Sequence, residues 1–198
     1  MIIDVYKKVT VSLGGKCTLG CKHCYTNTRS FSHALKITPE IVIDKLLEEK
    51  GNFSTICISG DTDVFINQAE GLALLKNVVQ QFTNETIMFT TRIIPSQTII
   101  NKIVELGNIC SLKKQLFIPC ISLITYSYPN NIENPKKVAS STERLDFLKH
   151  LAVHGLPCFL TLRPTFPFSL VPLSETEQIL DYIGNVPAAV LGEVFLQF

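Results

Sequence analysis

The chain has no apolar run approaching the ~20 residues that a membrane-crossing helix needs. It also has no recognisable signal peptide: the opening Met-Ile-Ile-Asp-Val-Tyr-Lys-Lys carries its charges inside the stretch and offers no cleavage site. A cytoplasmic location without membrane partners is the expectation that follows. Neither sign of charge is in excess. A net charge of +1 and a pI near 7.6 give no broad attraction to nucleic acid or to a membrane surface, although a local basic groove is still allowed. No internal repeat and no linker interrupts the 198 residues, so one domain spanning 1–198 is expected. With 46% hydrophobic and 18% charged residues, the composition excludes a disordered chain. The seven cysteines are odd in number and follow no secretory signal, which argues against a disulfide scaffold.

What the sequence does contain is an alternation of short apolar runs with amphipathic stretches. Strands are predicted at residues 9–13, 55–59, 87–91, 117–123, 159–162 and 193–198. Pro119 weakens the first half of the fourth. A helix is predicted from Pro39, capped by Thr38 and ended by Gly51, and others over about 68–82 and 96–106. A further helix runs from a cap at Ser141 or Thr142 to about His154, where Gly155 stops it. The last starts at Ser174-Glu175-Thr176-Glu177, in the pattern of a capping box. Residues 125–138 and the stretch holding Pro164, Pro167 and Pro172 read as loops. Strict β–α alternation implies parallel strands joined by right-handed crossovers. Six strands are too few for a complete eight-stranded barrel, so the expected α/β fold is an open, partial (β/α)6 barrel of the TIM type. The chain stops within its sixth predicted strand, as expected of a piece of a longer protein or of a minimal core.

The densest chemistry lies directly after the first strand, in Leu13-Gly-Gly-Lys-Cys17-Thr-Leu-Gly-Cys21-Lys-His-Cys24-Tyr25. Three thiolates at Cys-x3-Cys-x2-Cys spacing can wrap one metal centre, and soft sulfur suits an iron–sulfur cluster or zinc. A cubane held by three cysteines keeps one iron open for another ligand. A zinc knuckle would need a fourth ligand; His23 is of the right type, but it adjoins Cys24, an awkward spacing for both to reach one ion. The loop also falls at the C-terminal end of a predicted strand, where barrel active sites lie. Cys57, Cys120 and Cys158 sit in or beside apolar strand runs and Cys110 in a connection; all four read as buried, inert thiols.

The cysteine loop resembles the signature of the radical S-adenosylmethionine superfamily. The resemblance implies a [4Fe–4S] cluster on Cys17, Cys21 and Cys24, with its fourth iron chelated by the amino and carboxylate groups of S-adenosyl-L-methionine. There, an electron from the reduced cluster breaks the S–C5′ bond, and the 5′-deoxyadenosyl radical abstracts hydrogen from a substrate. It also implies an electron donor such as flavodoxin or ferredoxin. The substrate, whether peptide, nucleic acid or small molecule, stays open. His23 stands where the family usually has an aromatic residue bordering the adenine, Tyr25 fits the same pattern, and Gly20 gives the loop room to fold.

Further along, Ser59-Gly60-Asp61-Thr62-Asp63 occupies the place of the family's Gly-Gly-Glu-type segment, which contacts the cofactor's amino group. The sequence departs from that form. Asp61 or Asp63 can still accept from an ammonium, the alternative being a turn with an aspartate helix cap. Arg163, near a strand end, is a candidate partner for the cofactor carboxylate, and Ser122 for the ribose or methionine. Tyr25, Thr91 and Arg92 are candidates to border the substrate, whereas Arg144 reads as a surface or packing residue and His150 and His154 as solvated.

Residues 10–168 also resemble, more weakly, the spore photoproduct lyase-like branch. The corresponding segments are Thr62-Asp63, Thr91-Arg92 in place of the branch's Thr-Lys, Ser122, Glu133-Asn134-Pro135 with one residue inserted in its Glu-Pro-like element, Ser141-Thr-Glu-Arg144-Leu145 with Gly155-Leu-Pro157, and Leu162-Arg163-Pro164. No cysteine matches the hydrogen donor of the DNA lyase. A DNA-lesion lyase-like repair enzyme is therefore one rival reading, and a non-catalytic metal-binding interaction module is another.

Overall fold

The computed structural model describes residues 1–15, 17–22, 24, 36–59, 61–127, 133–162, 171–184, 186 and 188–192; of Ile2 and 188–192 it describes the backbone only. Strands β1 (Ile2–Ile3), β2 (Lys8–Val11), β3 (Thr55–Ile58), β4 (Thr86–Thr91), β5 (Phe117–Leu123), β6 (Cys158–Leu162) and β7 (Ala188–Gly192) form one sheet in sequence order. β1 pairs with β2 antiparallel, and β2 through β7 are all parallel. Among the described residues, one helix lies between each parallel pair: α1 (Pro39–Glu48), α2 (Gln68–Gln81), α3 (Gln97–Leu112), α4 (Ser141–Val153) and α5 (Leu173–Ile183). A sheet whose order never reverses keeps its crossovers on one side. The expected partial barrel is the fold found.

Burial shows which face carries the helices. In β2, β3 and β4 every second residue is buried, including Val9, Val11, Ile56, Ile58, Ile87 and Phe89. These pack with Val42, Leu46, Leu74, Leu75, Val78 and Ile103 from the helices into one core. The alternate positions are half-buried. Thr10, Cys57 and Met88 stand in one row across three strands, on the face away from this core.

Several boundaries differ from the sequence reading, each for a physical reason. α3 continues six residues past 106 to Leu112 and takes in Cys110, which is thus helical rather than in a connection. Gly107 does not end it; a Cβ there would lie 2.8 Å from Leu156 Cγ, so this glycine admits a close packing partner. α4 is capped by Ser140, one residue earlier than expected, with a full capping box to Glu143. α5 has no capping box at Ser174: the Glu175 carboxylate instead accepts from the backbone N–H groups of Tyr126 (2.7 Å) and Ser127 (2.8 Å), pinning the chain after β5. The last described strand is β7, and the strand expected at 193–198 lies outside the described residues. Among the described residues, no helix is long and apolar enough to cross a membrane.

Gly71, in the first turn of α2, packs against the chain that follows β3. A Cβ there would collide with the Val64 carbonyl oxygen and sit 3.3 Å from the Phe65 ring, so one of the two segments must move. Gly71→Ala is expected to destabilise by about 1–3 kcal/mol despite alanine's better helix propensity. Thermal unfolding followed by circular dichroism checks this; an unchanged or raised Tm would show that the contact yields freely.

Candidate functional site

The C-terminal ends of β2 to β5 converge on the cysteine loop. Cys21 is buried with Leu19 and Val138 in a small apolar cluster, and the half-buried Cys17 and Cys24 pack against the same cluster. Cys24 N–H donates to the Cys21 carbonyl (3.1 Å), which closes the second half of the loop into a turn. Gly20 has φ 69°, a left-handed conformation that a side chain would strain, and the Asn134 amide nitrogen lies 3.5 Å from where its Cβ would be. Lys137 Nζ donates to the Thr18 carbonyl at 2.7 Å. The segment 133–138 therefore forms the outer wall of the loop, and a groove between Ile93–Ile94 and Pro135–Ala139 runs beside it.

No disulfide joins the seven cysteines. Among the described residues, no three His, Cys, Asp or Glu side chains gather about one point as a single metal ion requires. In a cubane each thiolate holds a different iron, so its sulfurs stand farther apart than the ligands of one ion. Three thiols of one loop on a common apolar floor are a donor set that fits such a cluster. Burial pushes the Cys21 thiol above its usual pKa, and the neighbouring Arg92 partly opposes this. The remaining cysteines differ in character: burial raises Cys110 to about 11 and Cys158 to about 12, as suits inert core thiols. Cys120 is buried as expected, but Cys57 is half-buried, with its thiol 3.9 Å from Met88 Sδ.

The other predicted residues form a hydrogen-bonded frame around the loop. Thr62 Oγ1 donates to the Gly14 carbonyl (3.2 Å), linking the chain after β3 to the chain after β2. The Asp63 carboxylate accepts from Thr91 Oγ1 (2.8 Å), Phe65 N–H (3.0 Å) and Arg92 N–H (2.7 Å). Desolvation raises the Asp63 pKa, and these three donors work against it. Asp61 is exposed. Ser59 takes a positive φ of 88°, and its hydroxyl accepts from Val64 N–H (2.9 Å). Ser122 Oγ accepts from Arg92 Nε (3.1 Å), and Arg92 Nη1 donates to Cys21 Sγ (3.3 Å).

Arg144 corrects the surface alternative. It is 1% exposed and forms a buried ion pair with Glu133, its Nη1 also donating to the Ser122 carbonyl at 2.7 Å. Glu133 in turn lies 3.5 Å from Arg92 Nε. The helical period held a clue, because Arg144, Leu148 and Leu151 fall on one face at i, i+4 and i+7. The link from Arg92 to Cys21 had no local signal beyond the position of Arg92 just after a strand. His150 and His154 are neighbours on α4 and its C-cap, with ring centroids 4.3 Å apart and His154 Nδ1 within 2.7 Å of the His150 carbonyl. The expectations for His23, Tyr25, Gly60 and Arg163 fall outside the described residues.

Fold and site together define a partial parallel α/β barrel with a three-cysteine loop at the C-terminal mouth. Solved structures of Streptococcus suis SuiB share this fold. One matches with a TM-score of 0.66 and 12% identity over 96% of this chain and 40% of SuiB. SuiB bound to the precursor peptide SuiA matches with a TM-score of 0.67 and 13% identity over 94% of this chain and 39% of that one. SuiB bound to S-adenosylmethionine matches with a TM-score of 0.64 and 12% identity over 96% and 41%. The chain thus spans about two fifths of the solved chains it matches. No protein-family model and no curated protein matches the sequence.

Proposed function

We propose that this chain is a core domain of a radical S-adenosylmethionine enzyme. One observation carries the reading: the three cysteines of one loop share one apolar floor at the mouth of a barrel whose fold is also that of a protein solved with S-adenosylmethionine bound. Bound there, a [4Fe–4S] cluster and S-adenosylmethionine would supply one-electron reductive cleavage of the sulfonium and a carbon radical able to abstract hydrogen.

The chain's own residues divide the remaining work. Cys17, Cys21 and Cys24 hold iron. Thr62, Asp63 and Thr91 fix the geometry of the strand ends around them. Asp61, which is exposed, is the candidate for the cofactor's ammonium, and Asp63 holds the strand ends through its three protein donors. Gly60, His23 and Tyr25 border the cofactor in this reading, and Arg163 meets its carboxylate. Ser122 contributes through Arg92 rather than through the ribose, since its hydroxyl accepts from Arg92 and the residue is 3% exposed. A flavodoxin- or ferredoxin-type protein delivers the electron. The substrate is an organic molecule of open class; one SuiB structure is bound to a precursor peptide, which makes a peptide the first class to test.

The segments behind the lyase-like resemblance are largely the frame itself: Asp63 binds Thr91 and Arg92, Arg92 binds Ser122, and Glu133 binds Arg144. They support the barrel and do not specify a DNA substrate. The deciding experiment is anaerobic reconstitution with iron and sulfide, then incubation with dithionite and S-adenosylmethionine. The expected products are 5′-deoxyadenosine and methionine. Reconstituted protein that yields neither, and instead purifies with stoichiometric zinc, would be a metal-binding module.

A further inference from the structure

We infer that Arg92 is a positioning and tuning residue for the cluster: it donates a hydrogen bond to the ligand sulfur of Cys21 and thereby makes the cluster easier to reduce. The inference rests on the proposed cluster and adds to it a determinant outside the cysteine loop. Arg92 follows β4 directly and is held at several points. Its backbone N–H is bound by Asp63 (2.7 Å), its Nε by the Ser122 hydroxyl (3.1 Å), and the Glu133 carboxylate lies 3.5 Å from the same nitrogen. These contacts aim Nη1 at Cys21 Sγ, 3.3 Å away. The side chain is only 18% exposed, so water screens the contact little.

The chemistry has a definite sign. Adding an electron makes a cluster and its thiolates more negative. A fixed N–H donor and a guanidinium that stays protonated at all working pH values stabilise that reduced state more than the oxidised one. Hydrogen bonds to ligand sulfur therefore raise the potential. The electron comes from the external one-electron donor already named, and no proton or bond changes partner. Glu133 sets a limit on the effect, because it neutralises part of the Arg92 charge while leaving the N–H···S bond in place.

The test is a redox titration of reconstituted wild-type, Arg92→Met and Arg92→Lys proteins, with the reduced cluster followed by electron paramagnetic resonance and iron counted in each sample. Arg92→Met should lower the reduced-to-oxidised ratio at a fixed potential by about tenfold, which for a one-electron couple is about 59 mV toward negative values. Arg92→Lys should fall between the two, since it keeps the charge without the planar fork. A full iron complement with the wild-type potential in Arg92→Met overturns the inference. If Arg92→Met holds no iron, Arg92→Lys is read by the same criterion, and an unshifted potential there overturns it. Loss of iron from both variants with native circular dichroism makes Arg92 a structural strut and also overturns it. A wild-type protein that assembles no cluster is a separate outcome: it removes the proposed function itself, and this inference falls with it.

Discussion

Cys21→Ala is expected to leave a folded domain that retains little or no cluster and cleaves S-adenosylmethionine more than ~100-fold more slowly. Loss of a group that hydrogen-bonds to a metal ligand typically costs 10–100-fold at a metal site, and loss of a direct ligand costs more. Cys21 is the informative choice among the three. It is the most buried of them, it packs on Leu19 and Val138, and it receives the Arg92 hydrogen bond. Its truncation to alanine in so small a cluster costs the fold little, so loss of iron is not confounded with unfolding. Iron per chain should drop from about four toward zero after reconstitution and desalting. Cys110→Ala supplies the control: that thiol lies inside α3 with its pKa raised to about 11, and its loss should leave iron content unchanged. A Cys21→Ala protein with a full cluster would remove this residue from the ligand set. Equal loss of iron from the Cys110 variant would show that the assay reports packing.

The part of this site that was legible in the sequence was the local part. Three cysteines in eight residues announce themselves wherever they fold. The strands β3 to β6 were legible because short apolar runs bounded by glycine, proline or polar residues have few other readings in an alternating α/β chain. β1 has only two residues and was invisible to any periodicity. β7 reads Ala-Ala-Val-Leu-Gly, a composition of weak β propensity that its pairing to β6 overrides.

What the sequence hid were contacts of long separation. Asp63 is a strong acceptor in any reading, but nothing local says that its partners are Thr91 and Arg92, 28 and 29 residues away. Expectation named Asp61 or Asp63 for the cofactor's amino group, or a turn; the fold adds three protein donors at Asp63. Ser122 is a second such case: a candidate for the ribose or methionine by its place near a strand end, it also accepts a hydrogen bond from Arg92. Both cases have one cause. Residues at the mouth of a barrel either meet a ligand or hold the loops that do, and residue type alone does not separate the two roles.

Glu133 is the point at which this frame is most vulnerable, and Glu133→Ala should destabilise the domain by about 3–5 kcal/mol. Both partners are nearly sealed from water, with side-chain exposures of 1% for Arg144 and 2% for Glu133. The carboxylate accepts from Nη1 and Nη2 of Arg144, while Arg144 Nε has no hydrogen-bond partner among the described residues. Removing Glu133 therefore leaves a buried guanidinium whose compensating charge is gone and whose remaining bond among the described residues is to the Ser122 carbonyl. The cost arises from that stranded charge more than from the worth of the pair. The double variant Glu133→Leu with Arg144→Met should consequently recover most of the lost stability, because an apolar pair of similar volume needs no compensation. Urea denaturation of the three proteins checks both statements through the midpoint at constant slope. An unaltered midpoint in Glu133→Ala would mean that water or another group reaches Arg144. The double variant also separates stability from function: it restores the wall of the cysteine loop but not the carboxylate beside Arg92, so a folded protein whose cluster potential differs from wild type is the expected result.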